Sequence, residues 1–196
     1  MIAIVDLGIG NLANVKKAVD GKLTRDPYDI ERAEKIILPG VGSFGAVAKN
    51  IENLRDAILD AIDKGTQVLG ICLGLHLLFE RSEESSKARG LGIFRGDVRK
   101  LNGIRVPHIG WNQVWQWRKC PLLKEIRNGA YFYFVHSYYV IHEDKEIVHA
   151  VTDYVTKKGS IFFPSVVCRE NVYGVQFHPE KSGSNGLRFL KNFRRL

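Results

Sequence analysis

From Phe44 to Asp63, apolar residues return at every third or fourth position: Val47, Ile51, Leu54, Ile58 and Ile62, with polar residues between them. That period buries one stripe of a helix, and it predicts an amphipathic helix over 44–63. Shorter, mostly apolar segments at Ile2–Asp6, Ile36–Leu38, Thr66–Ile71 and Val172–Phe177 read as strands. Asn11–Val19 reads as a helix, Leu75–Glu80 as the start of another, and Leu187–Phe193 as a terminal one. The later half is richer in strands, with Tyr131–Ile141, Ile147–Thr152 and Ser160–Cys168 added. Strand–helix alternation followed by strand-rich insertions predicts a three-layer α/β sandwich with a mostly parallel central sheet of flavodoxin-like topology. Between Val19 and Ile30 lies only Asp-Gly-Lys-Leu-Thr-Arg-Asp-Pro-Tyr-Asp, so the second strand is short or missing.

Composition narrows the class. A chain of 196 residues with 45% hydrophobic content reads as one domain over 1–196 with a sizeable core. No apolar stretch approaches the ~18 residues of a spanning helix, and Met-Ile-Ala-Ile-Val-Asp at the start reads as a strand, not a signal peptide. Three widely spaced cysteines, an odd number, point to a reducing compartment, taken as cytoplasmic, with Cys120 and Cys168 structural. The net charge of +8 raises nucleic-acid binding, the more so with Trp111, Trp115, Trp117 and Arg118-Lys119 close together. Yet basic residues are scattered among acidic ones except at Arg194-Arg195, which favours a solvated face or one turned to an acidic partner. Neither nucleic acid nor membrane is expected as a partner.

The candidate chemistry lies in two segments. Gly70-Ile71-Cys72-Leu73-Gly74 sits where a strand should give way to a helix. A nucleophile on such a turn is held in strained backbone, with glycines on either side to allow close packing. The start of a helix also favours a thiolate there. The competing reading is a buried structural cysteine. The second segment, Phe177-His178-Pro179-Glu180, supplies an imidazole and a carboxylate. Pro179 should hold the chain extended, so that residues 178 and 180 point to one side. Glu180 can then orient His178 while His178 takes the thiol proton. A third segment, Pro39-Gly40-Val41-Gly42-Ser43-Phe44-Gly45, follows a strand and can turn backbone N–H groups toward a ligand, as an oxyanion demands. By itself it is also an ordinary strand-to-helix loop.

With these segments in place the chain resembles the class I (triad) glutamine amidotransferases, nearly end to end. More narrowly it is similar to the family of glutaminase subunits of imidazole glycerol phosphate synthase. Asp6-Leu7-Gly8-Ile9-Gly10-Asn11-Leu12, Pro107-His108-Ile109-Gly110-Trp111-Asn112, Tyr133-Phe134-Val135-His136-Ser137-Tyr138 and Gln176 to Ser182 carry the likeness along with the three segments above. The resemblance implies that Cys72 attacks the side-chain amide of L-glutamine, with His178 and Glu180 completing the triad. It implies an oxyanion met by the N–H of Leu73 and, after a backbone rearrangement, of Val41. Gly42, His76, Glu84, Ser137 and Tyr138 fall at substrate-binding positions. The implied partner is a (β/α)8-barrel synthase that receives ammonia through its core and makes imidazole glycerol phosphate and aminoimidazole carboxamide ribotide. Asn11, Trp111, Tyr133 and Lys181 fall at that interface, although Lys181 also reads as a plain surface lysine. No cofactor and no metal are implied.

One position departs from the family. His76 stands where a substrate-holding Gln is usual, one helical turn beyond Cys72. Imidazole could donate to a carboxylate or pair with Glu80, so activity is expected with altered glutamine affinity or pH dependence. Two other enzyme-family and non-enzyme readings remain: a paralogous subunit feeding a different synthase, and an inactive partner-binding subunit. Gly8-Ile9-Gly10-Asn11-Leu12-Ala13 nearly fits a dinucleotide fingerprint, but Asp26 and Asp29, which flank Pro27 in an expected loop, are poor candidates for its acid. The six histidines have no compact ligand spacing. Tyr131 to Phe134 reads mostly as core strand.

Overall fold

The computed structural model describes residues 1–8, 12–156 and 159–196. The elements run β1 (Ile2–Val5), α1 (Ala13–Val19), β2 (Lys22–Thr24), α2 (Pro27–Glu31), β3 (Lys35–Leu38) and α3 (Phe44–Ile51). They continue through α4 (Arg55–Asp63), β4 (Gln67–Ile71), α5 (Leu73–Leu77), β5 (Arg81–Ser82), β6 (Gly96–Lys100) and β7 (His108–Gln116). The chain closes with β8 (Ala130–His136), β9 (Tyr138–His142), β10 (Val148–Thr156), β11 (Gly159–Arg169), β12 (Val172–Val175) and α6 (Gly183–Arg195).

Nine strands form one mixed sheet in the order β2-β1-β3-β4-β12-β11-β10-β7-β8, and β5-β6-β9 form a smaller one. From β2 to β12 every pairing is parallel; from β12 to β8 every pairing is antiparallel. The parallel part has the 2-1-3-4-5 order of a flavodoxin-like sheet, its fifth place filled by β12 from late in the chain. Of its strands, β1, β3, β4 and β12 are buried nearly throughout, as strands covered on both faces must be, while β2 at the edge is largely open. Val47, Ile51, Leu54, Ile58 and Ala61 pack on one face against Ala3, Ile36 and Val68. Val15, Val19, Phe189, Leu190 and Phe193 pack on the other against Ile4, Ile37 and Leu69. The α/β expectation holds, and the three layers follow from these two faces.

The details depart from the sequence reading at four places, one of them α5, which ends at Leu77 and does not run on to Glu80. The helix expected over 44–63 tightens into a 3-10 turn at Glu52–Leu54. Arg55 pins that junction by donating to Glu52 and to the carbonyls of Arg89 and Gly90. The second strand is short, as expected, with three residues, Lys22–Thr24, at the sheet edge. Pro27 does not lie in a loop: it opens α2, with Asp26 accepting from the Tyr28 N–H as N-cap. The strand expected over 131–141 divides at Ser137, where the chain leaves β7 for β6 and the smaller sheet. The Ser137 carbonyl accepts from the Leu101 N–H at that corner.

Candidate active site

Cys72 follows β4 immediately and precedes α5, with φ 51° and ψ −103°. Positive φ is costly for a residue with a Cβ and persists only where the surroundings over-determine it. They do: the Cys72 N–H continues the parallel ladder to the Val175 carbonyl at 2.7 Å, and α5 begins at the next residue. Gly74 allows α5 to start that close to β3, since a Cβ there would collide with the Leu38 carbonyl oxygen. The loop after β3 meets the same turn, because a Cβ on Gly40 would strike Leu73. Backbone approach thus brings the 39–42 loop to the start of α5.

Next to β4 in the sheet, β12 delivers His178 past its end. His178 Nδ1 lies 2.8 Å from Glu180 Oε1, and both side chains are buried. The pairing arises differently from the extended geometry expected of Pro179. Residues Pro179–Lys181 form a 3-10 turn, with Pro179 at its first position, and the turn folds Glu180 back under the ring. Burial alone would depress His178. The Cys72 sulfur opposes that most strongly, Glu180 adds to it, and the imidazole is pushed up to about 10. His178 Nε2, the ring nitrogen turned away from Glu180, is buried.

A cavity of about 310 Å³ opens beside Cys72 and is lined by Val41, Gly42, Leu73, His76, Glu84, His136, Ser137 and Tyr138 among others. Every residue expected at an oxyanion or substrate position therefore lines one cavity with Cys72. His178 and Glu180 line a separate narrow cleft together with Val41. Glu84 has a structural bond as well: its Oε2 accepts from the Phe44 N–H at 2.7 Å, at the start of α3. Burial and the nearby Glu84 and Glu83 carboxylates push the Tyr138 phenol up.

His76 does not pair with Glu80. Its Nε2 lies 3.0 Å from Gln176 Oε1, and the Gln176 amide nitrogen lies 3.7 Å from Cys72 Sγ. Burial draws His76 down to about 4 against the opposing Gln176 bond, so the ring is neutral near pH 7. The Glu80 carboxylate instead accepts from the Gly96 N–H.

Three groups without an assigned role in the sequence also build the site. Gln176 is one; its position two before His178, in the run the sequence reads as a strand to Phe177, was the available signal. His108 and His136 are the second. His136 Nδ1 lies 2.9 Å from the Tyr138 carbonyl, which can only accept, so that nitrogen carries the proton. His136 Nε2 then accepts from His108 Nδ1 at 2.9 Å, and Asn112 Nδ2 donates to His108 Nε2 at 3.4 Å. Burial lowers His108 to about 4 and, with the neighbouring His108, lowers His136 well below the ordinary range. Ser182 is the third. It donates to the His178 carbonyl at 2.6 Å and accepts from the Tyr133 N–H at 2.9 Å, while the His178 N–H donates to the Tyr133 carbonyl at 2.8 Å.

Of the expected interface residues, Trp111 and Tyr133 meet edge to face at 6.1 Å between ring centroids. Lys181 Nζ sits 5.9 Å from the Tyr133 ring centroid. Asn11 lies outside the described residues. Among the described residues no cluster of three or more His, Cys, Asp or Glu side chains could hold a metal ion. No described helix is long and apolar enough to cross a membrane.

Residues 4–195 match the family model of "Glutamine amidotransferase class-I". Imidazole glycerol phosphate synthase subunit HisH of Thermococcus kodakarensis is 65% identical, covering 100% of both chains. The subunit of the same name from Pyrococcus furiosus is 58% identical, over 100% of this chain and 98% of that one. Among solved structures, one of PurLQS from Thermotoga maritima superposes with a TM-score of 0.76 at 18% identity, covering 98% of this chain and 96% of that one. A structure described as a glutamine amidotransferase does so at 0.74 and 16% identity, over 100% and 99%. At those identities the structures speak to the fold.

Proposed function

The chain belongs to the class-I glutamine amidotransferases, in the branch of subunit HisH of imidazole glycerol phosphate synthase, and from that membership we propose that Cys72, His178 and Glu180 are its catalytic triad. It hydrolyses L-glutamine for the synthase of histidine biosynthesis. The observation that carries the triad is the strained Cys72 at the end of β4 beside a buried His178–Glu180 pair at the end of β12.

His178, raised by the neighbouring Cys72 sulfur and by Glu180, takes the Cys72 thiol proton as the nucleophile forms. Cys72 Sγ attacks the glutamine side-chain carbonyl carbon, and the oxyanion is met by the N–H of Leu73 and, once the 39–42 loop rearranges, of Val41. The imidazolium gives its proton to the leaving nitrogen as the C–N bond breaks, and ammonia departs from a glutamyl thioester. Water then attacks the thioester, His178 takes its proton, and glutamate leaves as the thiolate re-forms. Gly42, His76, Glu84, Ser137 and Tyr138 enclose the substrate.

Ammonium near neutral pH is a poor nucleophile, so the product must pass directly to a second subunit. That partner is a barrel synthase forming a heterodimer over the face that carries Trp111, Tyr133 and Lys181. The whole of 1–196 acts as one glutaminase domain, in the cytoplasm.

Glutamate release from glutamine tests this reading, measured with the chain alone and with the barrel synthase and its nucleotide ligand. Activity should rise sharply with the liganded partner and fall at least about a thousandfold in Cys72→Ala, whose circular dichroism should be unchanged. Steady activity without stimulation overturns the partner; activity surviving in Cys72→Ala overturns the triad.

A further inference from the structure

Gln176 is fully buried just past the end of β12, between Cys72 and a histidine. A primary amide has two different ends, one an acceptor and one a pair of donors, and which end meets the sulfur matters. A carbonyl oxygen turned toward a thiolate would be repelled; an N–H turned toward it stabilises the charge. The structure has the nitrogen toward Cys72 Sγ at 3.7 Å and the oxygen toward His76 Nε2 at 3.0 Å.

That orientation has a requirement. With its side chain sealed from solvent, the Gln176 oxygen needs a protein donor, and His76 Nε2 is the one it has. His76 must therefore carry its proton on Nε2 and stay neutral, as its burial dictates. A histidine in that tautomer has only an acceptor left at Nδ1. It cannot donate to a substrate carboxylate as expected from sequence; its work is directed inward.

Resting on the triad reading above, we propose that Gln176 is a catalytic residue, donating an amide N–H to the Cys72 sulfur. His76 is the positioning residue that keeps the amide the right way round. The other charged or titratable groups around the sulfur are His178 and Glu180 from the segment after β12, His136 from β8, and Glu84 and Tyr138 across the cavity. None of them holds the amide.

The test is the rate of Cys72 alkylation by iodoacetamide against pH, without glutamine, read by peptide mass spectrometry so that Cys120 and Cys168 are counted apart. Because no turnover is involved, the result stands whether or not glutamine proves to be the substrate. Gln176→Leu and His76→Leu should each move the profile to higher pH and slow alkylation near neutrality roughly fivefold, the scale of one lost hydrogen bond. His76→Gln retains a donor and should restore the wild-type profile. Unshifted profiles in both leucine variants overturn the role of Gln176, and a shift in His76→Gln equal to that of leucine overturns the role of the donor. The unaltered chain gives a second reading that needs no variant to fold. Imidazole nitrogen resonances of His76 should show the proton on Nε2, and a proton on Nδ1 would sink the proposal.

Discussion

The two halves of the large sheet are built to different standards. Between β2 and β12 the strands run parallel under helices on both faces, and Ile4, Ile37, Leu69 and Val175 have no exposure at all. Between β7 and β8 one face is packed, by Phe132, Phe134 and Val114, while the other shows Ile109, Trp111 and Tyr131 to solvent and leaves Tyr133 half-buried. Cys72 and His178 both issue from the closed half, where backbone meets backbone and nothing yields. The surface proposed for the partner lies on the open half, where side chains remain free to be covered. The proposed triad sits in rigid structure and the proposed docking face in exposed side chains.

The sharpest way to break this comparison is to place one methyl group in the closed half. Gly74→Ala drives a Cβ into the Leu38 carbonyl oxygen, with β3 and α5 both held. We expect a loss of more than about 3 kcal/mol, or no folding, by urea denaturation.

Titration gives the next largest effect. His76 and His108 are held at about 4 by burial, and His136 is also depressed, whereas the unfolded chain binds protons near 6.5. Their contribution to stability is present above about pH 6.5 and lost as pH falls toward 4, at up to roughly 1.4 kcal/mol per pH unit for each ring. His178 runs the other way. With its folded value raised to about 10, its contribution is present below 6.5 and lost as pH rises toward 10. Chemical denaturation across pH should fall on both sides, and Cys72→Ala, which removes the sulfur that raises His178, should flatten the alkaline limb alone. The smallest effect belongs to the open half: Trp117→Ala, at a residue 64% exposed, should change stability by no more than about 0.5 kcal/mol.

The same contrast governs what could be read from the chain. The apolar runs of β1, β3 and β4 and the helical stripe from Val47 to Ile58 announce themselves, because burial on both faces or along one stripe leaves a period in the sequence. Tyr131 to Ile141 has no such mark at Ser137, since both pieces are good strand formers and only their partners differ. Cys72 and His178 were legible because glycines and proline flank them. Gln176, His108 and Ser182 were not, since their roles depend on bonds to residues remote in sequence, and no local pattern encodes those. His76 was noticed as a departure, but its partner was misjudged: Glu80 is near in sequence, Gln176 in space.

Strand β8 is the last in its sheet, and a free strand edge invites another chain to pair with it. Here the turn that carries the proposed triad histidine and the start of α6 occupy that edge: Ser182 takes the Tyr133 N–H, His178 the Tyr133 carbonyl and Asn185 the Tyr131 carbonyl. The bonds that seat the histidine are therefore also the ones that keep one molecule from stitching itself to the next. A mutation that loosens this turn uncovers a template for aggregation at the same time, so solubility and chemistry are guarded by one set of contacts.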